Sequence, residues 1–235
     1  MIRTNTHILE EIRRLAAIPS PDWRILKRTV KAGQRLIWQG DAPKHVYCLI
    51  DGLAKCFITE ENGQDFLLEF LAEGEIIGEL EMLREKEYMS SIEAITDLSL
   101  YQISNPDFMA MLEKLPSFNK LILVELANRV TQTAERAAYQ QVYPLEYAVL
   151  KILYVFSENE LSISKKDMAD YLGISTRSLN RVLKQLRERG IVQAEEQALI
   201  ISSTERLRAA MEAFHWCPWG CVKTSKKQNE QWMLT

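Results

Sequence analysis

Three histidines among 235 residues leave little material for metal ligation or acid–base chemistry. No phosphate loop, no His-Asp-Ser pattern and no Cys-His pattern occurs, so an enzyme is not expected. Long apolar runs are also missing. About 18 consecutive apolar residues are needed to span a bilayer, and the longest candidate, LILVELA at 121–127, is interrupted by Glu125. The opening MIRTNTHILEEIRRLAAI has no uninterrupted apolar core of the signal-peptide kind. These absences predict a cytoplasmic protein with no membrane partner. Only four cysteines are present. They fit reduced thiols better than a secreted disulfide framework. There is no excess of positive charge either. A net charge of -3 gives no global attraction to nucleic acid, so any attraction must be local. Low-complexity linkers and long internal repeats are absent as well.

What is there divides by charge. Residues 20–110 hold 16 acidic and 9 basic side chains, and residues 162–212 hold 9 basic and 7 acidic. Such a split predicts two parts with different work. The acidic part reads as β-structure. HVYCLIDGLAKCFITEENGQDFLLEF (45–70) alternates short Val, Tyr, Ile and Phe runs with Asp51-Gly52 and Asn62-Gly63. Both dipeptides tolerate positive φ and are expected to close hairpins. Further glycines at Gly33, Gly40, Gly74 and Gly78 recur as they do between the short strands of a sandwich or jelly roll.

From Asn105 to Tyr139 the pattern turns helical. Leu123, Leu126, Val130, Thr133 and Ala137 are spaced 3, 4, 3, 4, a heptad seam that suits a dimer helix. The same spacing also fits a core-facing helix inside one subunit. The seam's later half is small and partly polar, so it would pack closely but weakly. EYAVLKILYVFS (146–157) is apolar on several sides and reads as buried.

ISKKDMADYLGISTRSLNRVLKQLRERGIV (163–192) carries the strongest local signal. Ser164 suits a helix N-cap, with Asp167 in the first turn. Gly173 suits the left-handed end of that helix. Ser175 then caps a second helix, in which Leu179, Val182, Leu183 and Leu186 share one face. Arg177, Arg181 and Lys184 fall on the opposite face, which is of one sign apart from Glu188 near its end. A merely solvated face usually mixes signs. IVQAEEQALIIS (191–202) follows as strand, turn, strand. Helix, tight turn, helix and hairpin wing together predict a DNA reader. Short Ser175, Thr176 and Ser178 can approach phosphates, while Arg177, Asn180, Arg181 and Lys184 can reach base edges or backbone.

In this order, LIWQGD, VYCLIDG, ENGQDFLLEFLAEGEIIGEL, the long helix and the helix-turn-helix resemble the cyclic-AMP receptor protein / fumarate–nitrate regulator (Crp/Fnr) family of bacterial transcription factors, over about residues 28–205. The resemblance implies an α+β fold: an N-terminal cyclic-nucleotide-binding-like β jelly roll, a long dimerisation helix and a C-terminal winged helix-turn-helix. Expected bounds are 1–108 for the sensing roll with its N-terminal helix, 109–141 for the dimer helix, 142–212 for the DNA-binding domain and 213–235 for a tail. It also implies a homodimer reading palindromic double-stranded DNA, with recognition helices about 34 Å apart, and RNA polymerase as a partner if the protein activates. Arg181 falls where the family places its central base-reading arginine, with Thr176 and Arg177 at specificity positions and Ser175 at a phosphate contact. Arg177 replaces a frequent glutamate, so an acceptor suited to cytosine becomes a donor suited to guanine. Glu195 and Glu196 at the wing tip depart from the pattern and would repel phosphate.

The family's nucleotide pocket implies an effector site at Gly78, Glu79, Tyr88, Met89, Ser90 and Thr133. Gly78 and Glu79 match the family's Gly-Glu pair, though a turn glycine and an acidic surface residue would look the same. Tyr88 and Met89 stand where nucleotide-binding members have Arg-Ser, unless a shifted register brings in Ser90, Ser91 or Lys86. Without that arginine a buried cyclic phosphate is unpaired, which argues against cyclic AMP. Ala134 has also lost a hydroxyl. Some relatives sense oxygen through an iron–sulfur cluster, but they gather their cysteines mostly near the N-terminus. With Cys48 and Cys56 on strands and Cys217 and Cys221 near His215, a cluster is not expected. No metal site is expected; Cys217 and Cys221, beside Trp216 and Trp219, are weak candidates for one and the more reactive pair of the four cysteines. The alternative function is a redox or small-molecule sensor that signals by protein contact, its DNA-binding domain degenerate.

Overall fold

Short β-branched and aromatic runs, each ended by a glycine turn, build the first half of the chain into strands. The computed structural model describes residues 2–159, 161–194, 199–201 and 203–214. The first half contains β1 (Ile2–Arg3), α1 (Thr6–Ala17), β2 (Ile25–Val30), β3 (Arg35–Ile37), β4 (His45–Asp51), β5 (Ala54–Thr59), β6 (Asp65–Leu71), β7 (Ile76–Ile77), α2 (Glu79–Arg84), β8 (Ser91–Ala94) and β9 (Leu98–Ser104). One sheet has the order β1-β6-β5-β8-β3 and the other β2-β9-β4-β7. Leu49, Ala54, Leu71, Ile77, Ile92 and Leu100 fill the space between them. This is the expected β-roll. The N-terminal strand β1 lies parallel to β6, with Ile2 opposite Phe70 and Arg3 opposite Leu71.

One turn differs from its expectation. Asn62-Gly63 closes the β5–β6 hairpin, with Thr59 opposite Asp65. Asp51-Gly52 closes no hairpin, because β4 and β5 belong to different sheets. Gly52 instead carries the chain across the roll at φ 101°, and a Cβ there would lie 2.4 Å from the Asp97 carbonyl oxygen. Only glycine fits such a crossing.

The second half is α3 (Asn105–Lys114), α4 (Pro116–Val142), α5 (Leu145–Glu158), α6 (Lys165–Leu172), α7 (Thr176–Glu188), β10 (Val192–Ala194), β11 (Leu199–Ile201) and α8 (Thr204–Glu212). The helical stretch expected from Asn105 is therefore two helices, and the long one begins at Pro116 rather than at 109. Leu115, held before a proline, leaves helical geometry at φ -122° and ψ 86°. No helix among the described residues is long and apolar enough to cross a membrane.

The two halves share a core. Phe57, Leu67 and Phe70 of the roll pack in one cluster with Leu150, Leu153, Phe156, Tyr171 and Leu183 of the C-terminal helices. The Phe70 ring meets Phe156 edge-on at 4.8 Å and Tyr171 at 5.6 Å. Lys55 on β5 adds an ion pair with Asp167 on α6, 2.9 Å away. Arg136 on α4 donates to the backbone carbonyls of Leu67, Leu68 and Tyr171. One side chain thus ties roll, long helix and C-terminal domain together.

Candidate functional site

The DNA-facing unit assembles from its caps. Ser164 accepts from the Asp167 amide at 2.9 Å and starts α6. Gly173 ends it in the left-handed region, φ 65° and ψ 34°. Ser175 then accepts from the Ser178 amide at 3.2 Å and starts α7. Leu179, Val182, Leu183 and Leu186 are buried. Thr176, Arg177, Asn180, Arg181 and Lys184 are exposed on the other side, while Ser178 is half-buried with its hydroxyl 3.1 Å from that of Ser175. The first turn of α7 holds no acidic residue, so nothing offsets the positive end of the helix dipole. Among the described residues Arg177 and Arg181 have no ion pair, and Lys184 has only Glu188 at 4.0 Å. The basic face is therefore free for an anionic partner. The wing forms as β10 and β11, antiparallel with Val192 opposite Ile201. Its tip, with Glu195 and Glu196, lies outside the described residues, as do His215, Cys217, Cys221 and both neighbouring tryptophans.

All six residues expected at the effector site line one cavity of about 710 Å³: Gly78, Glu79, Tyr88, Met89, Ser90 and Thr133. One wall is the β-roll and another is α4. Tyr171 of α6 lines it too, so the DNA-binding domain touches the cavity directly. Glu79 is not a surface residue, being only 1% exposed. Lys86 is exposed and Ser91 accepts from the Gln39 amide, so neither makes good the missing arginine. Tyr88 is buried over Gly78, and its hydroxyl donates to the His45 carbonyl at 3.0 Å.

Behind this cavity runs a network that the sequence patterns did not expose. Arg129 on α4 donates to the Glu79 and Glu75 carboxylates and, at 2.6 Å, to the Ile76 carbonyl. Arg3, delivered by β1, donates to both Glu69 oxygens at 2.8 and 2.9 Å and to Glu125 at 3.2 Å. Asn5 donates to the other Glu125 oxygen. The one available signal was Glu125, a lone acid in an apolar run, since buried acids need partners. Its partner Arg3 lies 122 positions away, and no local spacing points to it.

Burial pushes the Glu79 carboxyl up to about 7, against the pull of Arg129. Glu75 is raised by burial too, with Arg129 and Arg3 opposing. Burial pulls Arg129 down, but Glu79, Glu75, Glu69 and Glu125 together outweigh it and hold the guanidinium firmly charged. Burial also pushes the Cys48 and Cys56 thiols up to about 12. Both are protonated near neutrality and are poor metal ligands or nucleophiles. Among the described residues no group of three or more His, Cys, Asp or Glu is placed to hold a metal.

The seam on α4 splits in a telling way. Leu123 and Val130 are 61% and 72% exposed, and Thr133 and Ala137 are exposed beside them. Leu126 is partly buried against the core that α1 and α3 share with β4 and β9. Four of the five seam residues are thus exposed, and three of them, Val130, Thr133 and Ala137, also line the cavity.

A β-roll with a cavity against a long helix, followed by a winged helix-turn-helix, is the architecture of a DNA-binding protein. Residues 27–115 match the cyclic nucleotide-binding domain and residues 147–210 the Crp-like helix-turn-helix domain, together well over half of the chain. The chain is 28% identical over 171 residues to the cyclic AMP receptor protein of Thermus thermophilus, covering 71% of this chain and 79% of that one. Among solved structures it resembles the c-di-GMP responsive global regulator CLP of Xanthomonas campestris, with TM-score 0.70, 20% identity and coverage of 83% of this chain and 99% of that one. A transcriptional regulator of the Crp/Fnr family from Eubacterium rectale gives TM-score 0.71 at 17% identity, over 88% and 95% of the two chains. The chain belongs to the Crp/Fnr family of DNA-binding transcription regulators.

Proposed function

We propose that the protein is a homodimeric regulator whose affinity for a palindromic operator is set by its sensor domain through α4. The free basic face of α7, on a helix capped at Ser175 and backed by four buried apolar residues, carries this reading. Two copies joined along Leu123, Val130, Thr133 and Ala137 would present two such helices to successive major grooves. Arg181 and Arg177 would read base edges, and Ser175, Thr176, Ser178, Asn180 and Lys184 would fix the helix on the backbone or on neighbouring bases. The sensor acts by population shift. Whatever biases the packing of α4 against the roll also biases the helix pair, because Arg129 grips the roll and Arg136 grips both the roll and α6. RNA polymerase is a further partner if the protein activates. The alternative, a sensor signalling by protein contact alone, is disfavoured by two arginines left free on the exposed face of α7.

The test is selection of duplexes from a random pool, followed by titration. Arg181→Ala should weaken binding to the selected sequence by about 1–3 kcal/mol and narrow the gap between selected and random DNA. Unchanged discrimination would refute the assignment.

A further inference from the structure

We propose that the cavity bounded by Gly78, Tyr88 and α4 takes an uncharged, largely apolar small molecule and excludes cyclic nucleotides. The regulatory meaning of this occupant rests on the sensor reading above; its binding does not.

The first observation concerns the place where a phosphate would approach the Gly78 backbone. A Cβ built on Gly78 would lie 3.0 Å from the His45 carbonyl oxygen, 3.3 Å from the Tyr88 ring and 3.4 Å from its hydroxyl. The ring thus already occupies the space beside this left-handed glycine. It is fixed there by its bond to the His45 carbonyl, and it brings no positive charge.

The second observation is that the terminal nitrogens of the wall's guanidiniums are engaged, and only the inner Nε atoms of Arg3, Arg129 and Arg136 lack a hydrogen-bond partner among the described residues. Arg3 serves Glu69 and Glu125, and Arg129 serves Glu79, Glu75 and the Ile76 carbonyl. Arg136 donates to three carbonyls, and its guanidinium carbon lies 4.0 Å over the Tyr171 ring. Against these three stand the carboxyls of Glu69, Glu75, Glu79, Glu81 and Glu125 on or just behind the wall. An entering anion would meet the Glu69, Glu79 and Glu81 carboxyls of the lining and would have to break an existing pair to gain a cationic partner. Burying it unpaired would cost several kcal/mol. A cation fares no better, because Arg3 and Arg129 already stand against these acids.

The third observation is what remains. Ile37, Leu71, Ile77, Leu80 and Ile92 give the roll side an apolar surface, and Leu126 and Val130 line the cavity from α4. The protonated Cys56 thiol, donating to Ser90 at 3.2 Å, adds soft apolar surface. A volume of about 710 Å³ lies within the range of small-molecule sites. The hydroxyls of Ser90 and Thr133 offer a neutral ligand a polar handle. Tyr171 in the same wall gives such a ligand direct contact with α6.

The experiment uses the full chain without DNA. N-phenyl-1-naphthylamine, an uncharged probe that fluoresces in apolar sites, is titrated into the protein. Cyclic AMP and cyclic GMP are titrated separately by calorimetry and as competitors. Saturable probe binding is expected, undisturbed by either nucleotide up to about 1 mM. Ala134→Trp projects bulk into the cavity from an exposed helix position and should weaken the probe at least about tenfold. Met89→Trp, also on an exposed wall residue, is the second filling variant should the first fail to fold. Nucleotide heat or displacement in the wild type, absence of saturable probe binding, or full probe affinity in a folded filling variant would overturn the proposal. A separate titration of the selected duplex, with and without saturating probe, reads the coupling: probe binding with unchanged operator affinity would refute only the sensor reading.

Discussion

Replacing Arg129 by methionine isolates the charged wall of the cavity. Methionine keeps much of the hydrocarbon stem and removes the guanidinium. The Arg129 side chain is 14% exposed, and its partners Glu75 and Glu79 are 1% exposed. The substitution leaves two buried carboxylates and the Ile76 carbonyl without their shared donor. Removing one partner of a buried pair costs about 3–5 kcal/mol. For a chain of this size each kcal/mol lowers Tm by about 2–4 °C, so a fall of about 6–20 °C is expected. The loss should depend on pH. The Glu79 carboxyl is raised from 4.5 to about 7 in the fold. A raised folded-state value means that the fold binds the proton more tightly than the unfolded chain. That contribution is complete below 4.5 and fades as pH rises through 7, with a slope of at most about 1.4 kcal/mol per pH unit. Without Arg129 the carboxyl is raised further. Near pH 5.5 it is then protonated and costs little to bury; near pH 8 it must be buried bare or titrated. Urea unfolding followed by circular dichroism at both pH values measures the difference. The larger loss should appear at pH 8, and Glu79→Gln added to Arg129→Met should recover part of it. Equal losses at the two pH values, or a loss under about 1 kcal/mol at pH 8, would refute the reasoning.

Leu123→Glu with Val130→Glu places like charges on the free face of α4 and should give monomers in sedimentation velocity; persisting dimers would place the interface elsewhere. Arg136→Ala removes the donor shared by the Leu67, Leu68 and Tyr171 carbonyls, and amide exchange in α6 should rise relative to the strands of the roll. Gly52→Ala should cost at least about 2 kcal/mol in chemical unfolding, from the φ of 101° and the Asp97 carbonyl at 2.4 Å.

Local chemistry made much of the fold legible. The Ser164 and Ser175 caps, the Gly173 ending and the apolar stripe from Leu179 to Leu186 depend on residues a few positions apart, and all appear at the expected places. Gly78 and Glu79, singled out by the family resemblance, both line the cavity, although the burial of Glu79 had no local signal. What stayed hidden depends on contacts distant in sequence. The strand β1 has only two residues, Ile2 and Arg3, too short for periodicity to register. Its arginine meets Glu69 and Glu125 only once the roll and α4 are assembled. Gly52 looked like a hairpin residue because Asp-Gly marks positive φ, not the sheet to which the chain goes next. The break before Pro116 was written in the sequence, but the apolar periodicity on both sides masked it.

Phe70 belongs to a strand of the roll, yet its ring sits between Phe156 and Tyr171 of the DNA-binding domain. Modularity is limited as a result. A fragment cut after Tyr143 would bare those two rings to water, and the roll alone would bare Phe70. Exchange of halves with another regulator succeeds only where its residues at these three positions fill the same volume. Recombination between relatives should therefore respect this aromatic trio more strictly than the loop that joins α4 to α5, even though the loop looks like the natural seam.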